Sequence, residues 1–159
     1  MRHRQVTDID YREALVSDVP AMARSRQADP EIHSADARME AYFNCTHHPQ
    51  RALPPRVGFV ATVGGEVVGY IAGHLTERFD CSGEVQYLFV SSPYRRMGVA
   101  TRLLELLAGW FTAKQASRVC VDVNDDSPAA RPFYESTGAS VLRPHWMVWD
   151  DVGELLRGR

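Results

Sequence analysis

The sequence predicts a mixed α/β fold, one sheet with helices laid on its faces, and three observations carry the prediction. Two β-rich runs, Val57 to Val63 and Glu66 to Leu75, meet at Gly64-Gly65, the dipeptide that a tight hairpin turn with positive φ prefers. Gly83 to Ser91 carries Val85, Tyr87, Leu88, Phe89 and Val90 almost without interruption, the pattern of a central strand covered on both sides. Val99 to Ala116 follows with Val99, Leu103, Leu106, Leu107, Trp110 and Phe111 on one wide apolar stripe, the mark of an amphipathic helix.

The other elements follow from local signals. Residues Met1 to Asp10 have neither a helical nor a strand period and are either a frayed arm or an edge strand. Tyr11 to Val16 is a short strand, and Ser17 caps a helix with Pro20 in its first turn and Val19, Met22 and Ala23 on one side, closed by Asp29-Pro30. Ala35, Met39, Tyr42 and Phe43 mark a second short helix, and His47 to Arg56, with three prolines, reads as a loop. Arg118 to Val123 is a strand, Ser127 to Thr137 a helix ended by Gly138, and Ser140 to Asp150 two strand pieces bent at Pro144. The resulting order, β-α-α-β-β-β-α-β-α-β-β, describes one domain over residues 1–159.

Composition narrows the function classes. With 159 residues, 45% hydrophobic and 24% charged, the chain can build its own core without a structural metal or disulfides. A formal net charge of −2 supplies no basic field for a nucleic-acid backbone or an anionic membrane. Three cysteines, Cys45, Cys81 and Cys120, form no close ligand pairs and fit reduced thiols. Neither a signal peptide nor an apolar run of membrane length can be read, so a cytoplasmic protein is expected. Cys45-Thr46-His47-His48 matches no common zinc spacing; a solvated loop accounts for it, and no metal is expected.

The most informative segment joins the central strand to the long helix: Val90-Ser91-Ser92-Pro93-Tyr94-Arg95-Arg96-Met97-Gly98-Val99-Ala100-Thr101. Backbone N–H groups at a helix start lack internal partners and the helix dipole adds positive potential there. Small residues at Gly98 and Ala100 admit a phosphate to the backbone, and Arg95 and Arg96 offer charge-assisted hydrogen bonds. An ordinary helix start with solvated arginines fits the same residues. Neither GxGxxG nor GxxxxGK[ST] is present, which removes the usual support for NAD and ATP.

The segment Arg95-Arg96-Met97-Gly98-Val99-Ala100 resembles the pyrophosphate loop Arg/Gln-x-x-Gly-x-Gly/Ala of the Gcn5-related N-acetyltransferase (GNAT) family at every fixed position. The likeness extends upstream through Glu84-Val85-Gln86-Tyr87-Leu88-Phe89-Val90 and downstream through Ser127 to Ala139, and the element order is also the family's. The resemblance implies a predominantly antiparallel sheet with helices on both faces, and acetyl-CoA as co-substrate. It implies that Leu88, Phe89 and Val90 present backbone groups to the pantetheine arm, while Arg95, Arg96, Met97, Gly98, Val99, Ala100 and Thr101 cradle the pyrophosphate. It further implies that the strands at Gly83 to Ser91 and Arg118 to Val123 splay apart around the thioester. Ser127 stands where the family often has Asn, with Asn124 as the alternative contact to the cofactor arm. Pro132 inside the signature helix departs from the pattern and should kink it.

Acetyl transfer to an amine needs a neutral nitrogen, a donor for developing negative charge and a proton for the departing thiolate. The resemblance makes Tyr134 the acid, where composition alone would read a core tyrosine. Glu84 matches the family's glutamate base, and an exposed strand-end carboxylate is the plain alternative. His74 and Gln86 are further candidates for the same pocket. Asp29, Glu31, Asp36 and Glu40 either draw a cationic amine toward the cleft or form a solvated helix face. The expected activity is direct transfer to a primary amine, on a small molecule or on a protein N-terminus or lysine. The rivals are a coenzyme A sensor without catalysis and a nucleotide-binding module. Homodimeric assembly stays open.

Overall fold

Gly64 and Gly65 take φ of 58° and 85°, the left-handed pair a two-residue hairpin turn demands, and they join the two longest strands of the sheet. The structure, a computed structural model, describes residues 8–27, 39–43, 52–123 and 128–157. In chain order the elements are β1 (Asp10–Glu13), α1 (Val19–Gln27), α2 (Met39–Phe43), β2 (Ala52–Val63), β3 (Glu66–Thr76), β4 (Gly83–Val90), α3 (Val99–Ala113), β5 (Val119–Asp122), α4 (Ala130–Ser136), β6 (Ser140–Arg143), β7 (Trp146–Trp149) and α5 (Glu154–Arg157). The seven strands form one sheet in the order β1-β2-β3-β4-β5-β7-β6, antiparallel except between β4 and β5. The expected mixed α/β fold is present.

Alternation along β3 sorts the two layers. Ile71 packs with Val85, Leu103, Leu107 and Phe111 on the side covered by α3, whereas Tyr70 and Ala72 pack with Met22, Met39 and Tyr42 on the side covered by α1 and α2. The α3 stripe is shifted slightly from the expected one: Leu104 and Ala108 are buried with Val99, Leu103, Leu107 and Phe111, while Leu106 and Trp110 lie half-buried at its flank. Each fully buried large side chain of this stripe contributes about 1.5–3 kcal/mol relative to exposure, which seats α3, and hence its N-terminus, firmly against the sheet.

Several local expectations need correction. Ser17 lies inside a 3-10 turn, Val16–Asp18, and Asp18 rather than Ser17 closes the helix entry. Its carboxylate accepts from the Leu15 N–H at 2.7 Å and from both ends of the Arg12 guanidinium at 2.8 and 2.9 Å. This pairing holds the Asp18 carboxyl below the usual carboxylate range, with the Arg12 hydrogen bond the main cause. The prolines at 54 and 55 do not end β2: the register jumps from Leu53↔Leu75 to Arg56↔His74, so both sit in a bulge, where a missing N–H costs no ladder bond. Pro132 is the third residue of α4, ahead of the first intrahelical donor, the Phe133 N–H that bonds the Ala129 carbonyl at 3.2 Å, so it provides no cause for a mid-helix kink. The strand expected from Tyr11 starts at Asp10 and ends at Glu13, residues 1–7 lie outside the described residues, and α5 has no counterpart among the expected elements. Asp29-Pro30, Ala35 and Cys45 to His48 lie outside the described residues.

Candidate functional site

β4 and β5 pair over three rungs only, Gly83↔Val119, Glu84↔Cys120 and Val85↔Val121. Beyond Val85 the strands separate, and the β5-facing backbone of β4 has no strand partner there. One residue further, β4 bulges: Ala72 faces Tyr87 and Gly73 faces Val85, leaving Gln86 as the extra residue. The bulge resets the alternation, so Tyr87 and Phe89 join the α1/α2 layer. A cleft of about 760 Å³ fills the opening, running from Val85, Val121 and Asp122 past Leu88 to Val90 and on to the turn before α3.

That turn is shaped for an anion. Arg96 (φ 63°) and Gly98 (φ 82°) are left-handed, and Gly98 is the N-cap of α3. The first intrahelical bond runs from the Arg102 N–H to the Gly98 carbonyl at 3.0 Å, so the N–H groups of Gly98, Val99, Ala100 and Thr101 precede the helical ladder and all four residues line the cleft. A Cβ built on Gly98 would meet no atom within 4 Å, which leaves open space against those donors. Arg95 lines the cleft, but its Nε donates to the Val90 carbonyl at 2.8 Å, tying the turn to the end of β4. Arg96 also lines the cleft, whereas Met97 is 43% exposed and does not. The orphaned donors, the open cradle and the arginines fit the pyrophosphate of coenzyme A.

At the other end Tyr134, on α4, lines the cleft with Phe133. Its ring meets Trp149 edge-on at 5.5 Å and 84°, and among the described residues its hydroxyl has no hydrogen-bond partner. Burial raises its pKa above the ordinary phenol value, so the hydroxyl keeps its proton. Leu88, Phe89 and Val90 line the middle of the cleft, as does Gln86, whose Oε1 is buried without a hydrogen-bond partner. Asn124 and Ser127 lie outside the described residues.

Glu84 stands apart from the cleft lining. It is 4% exposed, which sets aside the reading of a solvated strand-end carboxylate. Its Oε1 lies 3.5 Å from His74 Nε2 and 3.4 Å from Arg78 Nε, and the Tyr42 hydroxyl and His74 Nδ1 share a hydrogen bond of 2.8 Å. A buried row thus runs from α2 through β3 to β4. Arg78 continues it into a second cavity of about 560 Å³ lined also by Phe79, Arg143 and Trp146.

Two charged cleft residues escaped the sequence reading. Asp122 ends β5 at the splay with its side chain open to the cleft, and its carboxyl is pushed up by partial desolvation first and by the Glu84 charge second. The strand pattern Val119-Cys120-Val121-Asp122-Val123 does single out this one carboxylate at a strand end. Arg26 reaches the cleft from α1, which no local pattern announces. Cys81 and Cys120 are buried together with Val148 and do not line the cleft. No set of three or more His, Cys, Asp or Glu placed to hold a metal occurs among the described residues, and none of their helices is long and apolar enough to cross a membrane.

Comparison with solved structures agrees with this architecture. Ard1 from Thermoplasma volcanium is 20% identical, with TM-score 0.69 over 89% of this chain and 94% of its own. The ribosomal-protein-S18-alanine N-acetyltransferase from Escherichia coli is 17% identical, with TM-score 0.65 over 88% and 92%. The PaiA N-acetyltransferase from Thermoplasma acidophilum, solved in complex with coenzyme A, is 12% identical, with TM-score 0.65 over 88% and 96%. The model of the acetyltransferase (GNAT) family matches residues 19–139, from α1 past the end of α4. With the splayed strands, the left-handed turn at Gly98 and a family match over most of its length, the chain belongs to the GNAT acetyltransferase family.

Proposed function

We propose that the protein is an N-acetyltransferase that uses acetyl-CoA and transfers the acetyl group directly to a primary amine of a small molecule or a peptide. The observation that carries the reading is the continuity of one cleft from the residues Gly98 to Thr101, whose N–H groups precede the helical ladder, to Tyr134, between strands that have separated. Bound acetyl-CoA supplies an activated thioester, and the chain supplies the rest. Gly98 to Thr101 and Arg96 hold phosphate oxygens, and the unpaired edge of β4 around Leu88 and Phe89 orients an extended amide-bearing arm, much as a strand partner would. The Tyr134 hydroxyl holds a proton for a departing thiolate.

The amine proton has two candidate acceptors. Glu84 fits through its buried row with His74, reached by way of water, whereas Asp122 is already on the cleft wall. A raised carboxyl pKa makes Asp122, when ionised, a stronger base than an ordinary carboxylate. A screen of acetyl-CoA with amino acids, polyamines, aminoglycosides and short peptides, read as free thiol, tests the reading. Turnover with one amine class is expected, and binding of coenzyme A without turnover of any would favour a sensor.

A further inference from the structure

We propose that Arg26 is a phosphate ligand on the wall of the cleft facing the Arg95 to Thr101 turn, so that the phosphates of coenzyme A are gripped from two elements; the proposal rests on the coenzyme A reading above. Arg26 lies in the last turn of α1, where a cation is ordinarily explained by the negative end of the helix dipole. That explanation suffices for Arg24, which is exposed. It does not suffice for Arg26, whose Nε is buried without a hydrogen-bond partner among the described residues while its side chain lines the cleft. The side chain as a whole is only half-buried, but a buried N–H donor of a cationic group left unmatched is costly. An anion lying in the cleft removes the cost.

The fold fixes which part of the cleft Arg26 serves. The Ser25 hydroxyl donates to the Ala21 carbonyl at 2.9 Å and to the Val67 carbonyl at 3.3 Å, pinning the end of α1 to the start of β3. The Ser91 N–H donates to the Val68 carbonyl at 2.8 Å, which brings the end of β4 to the same place. Arg26 therefore stands beside Val90 to Ser92, where the anion-binding turn begins, and not at the Val85 and Asp122 end near Tyr134. The one carboxylate among the described lining residues, Asp122, is at that far end, so none of those residues sets a carboxylate against Arg26. Arg95 spends its Nε on the Val90 carbonyl, which leaves room for a second guanidinium in the phosphate grip.

The test titrates coenzyme A, dephospho-coenzyme A, 4′-phosphopantetheine and pantetheine into wild type, Arg26→Gln and Arg26→Lys by calorimetry. Loss of a charge-assisted contact predicts coenzyme A affinity reduced about 10- to 100-fold in Arg26→Gln and less in Arg26→Lys, with pantetheine affinity equal across all three. If dephospho-coenzyme A shows the same loss, the contact is with the diphosphate; if it shows none, the contact is with the 3′-phosphate. Arg26→Lys retains the charge and carries the comparison should the Gln variant not fold. Coenzyme A affinity equal in wild type and variants, or an equal loss for pantetheine, overturns the proposal, including the case in which only the acceptor KM moves. Failure of wild type to bind coenzyme A would reject the underlying reading instead.

Discussion

Replacing Tyr134 by Phe removes one hydroxyl and keeps the ring that packs edge-on against Trp149 at 5.5 Å and beside Phe133 at 5.3 Å. The hydroxyl has no protein partner among the described residues, so its removal strands no buried group, and stability should change by less than about 0.5 kcal/mol. The effect on catalysis follows from the pKa. A phenol ordinarily titrates near 10 and a thiol near 8.5, so handing a proton fully to a thiolate is uphill by about 2 kcal/mol even before burial is counted. Burial raises the Tyr134 value further, which makes the hydroxyl a hydrogen-bond donor to developing negative charge more than a complete proton source. Such a donor is worth about 1.5–3 kcal/mol, or about 10- to 150-fold in kcat, at the lower end of general acid catalysis. Steady-state and single-turnover kinetics with the best acceptor, alongside coenzyme A titration, measure it. Full kcat retained while chemistry is shown to limit the rate would refute the assignment, and a loss confined to coenzyme A affinity would make Tyr134 a packing residue.

Gly98→Glu places a carboxylate and a left-handed non-glycine residue in the phosphate cradle; coenzyme A binding by calorimetry should fall below detection while the added backbone strain costs the fold only about 1–2 kcal/mol. Glu84→Gln and Asp122→Asn compared across pH identify the base: the variant that removes it should lose most rate near neutrality and least at high pH, where solvent deprotonates the amine, whereas a uniform loss marks a positioning role. The raised Asp122 carboxyl also predicts stability. Its folded form holds the proton more tightly than the unfolded chain, so the stability it contributes at low pH is lost as pH rises through its folded value; urea denaturation should find Asp122→Asn more stable than wild type near pH 7, with the gain closing toward about pH 4. Gly83→Ala would set a Cβ 2.5 Å from Phe111 Cε1 in a fully buried contact, and should cost about 1–3 kcal/mol by thermal unfolding, more than the same change at exposed positions.

The parts of this account legible in the sequence are those encoded within a few residues. The Gly64-Gly65 hairpin, the apolar run of β4 and the stripe of α3 each state their structure locally, and the fixed positions Arg95, Gly98 and Ala100 of the quoted motif line the cleft. Strand order is not local: β7 inserts between β5 and the β6 that precedes it, an arrangement two short apolar strands cannot announce. Pro54 and Pro55 read as a loop because proline removes a ladder donor, yet a bulge tolerates both. Arg26 and Asp122 reach the cleft only through the packing of α1 on β3 and the short β4–β5 ladder, so their spacing in the sequence carries no sign of a shared site. Glu84 was visible as a carboxylate at a strand start, whereas its burial against His74 and Arg78 is a tertiary fact.

The central claim is that one cleft binds coenzyme A by its phosphates at the start of α3 and presents its sulfur end to the splay beside Tyr134. Calorimetric titration of coenzyme A into wild type, followed by thiol release from acetyl-CoA with a panel of primary amines, tests it most directly. Coenzyme A should bind, Gly98→Glu should abolish binding in a folded protein, and at least one amine class should release thiol at a rate that Tyr134→Phe lowers. Binding that survives Gly98→Glu unchanged would contradict the account.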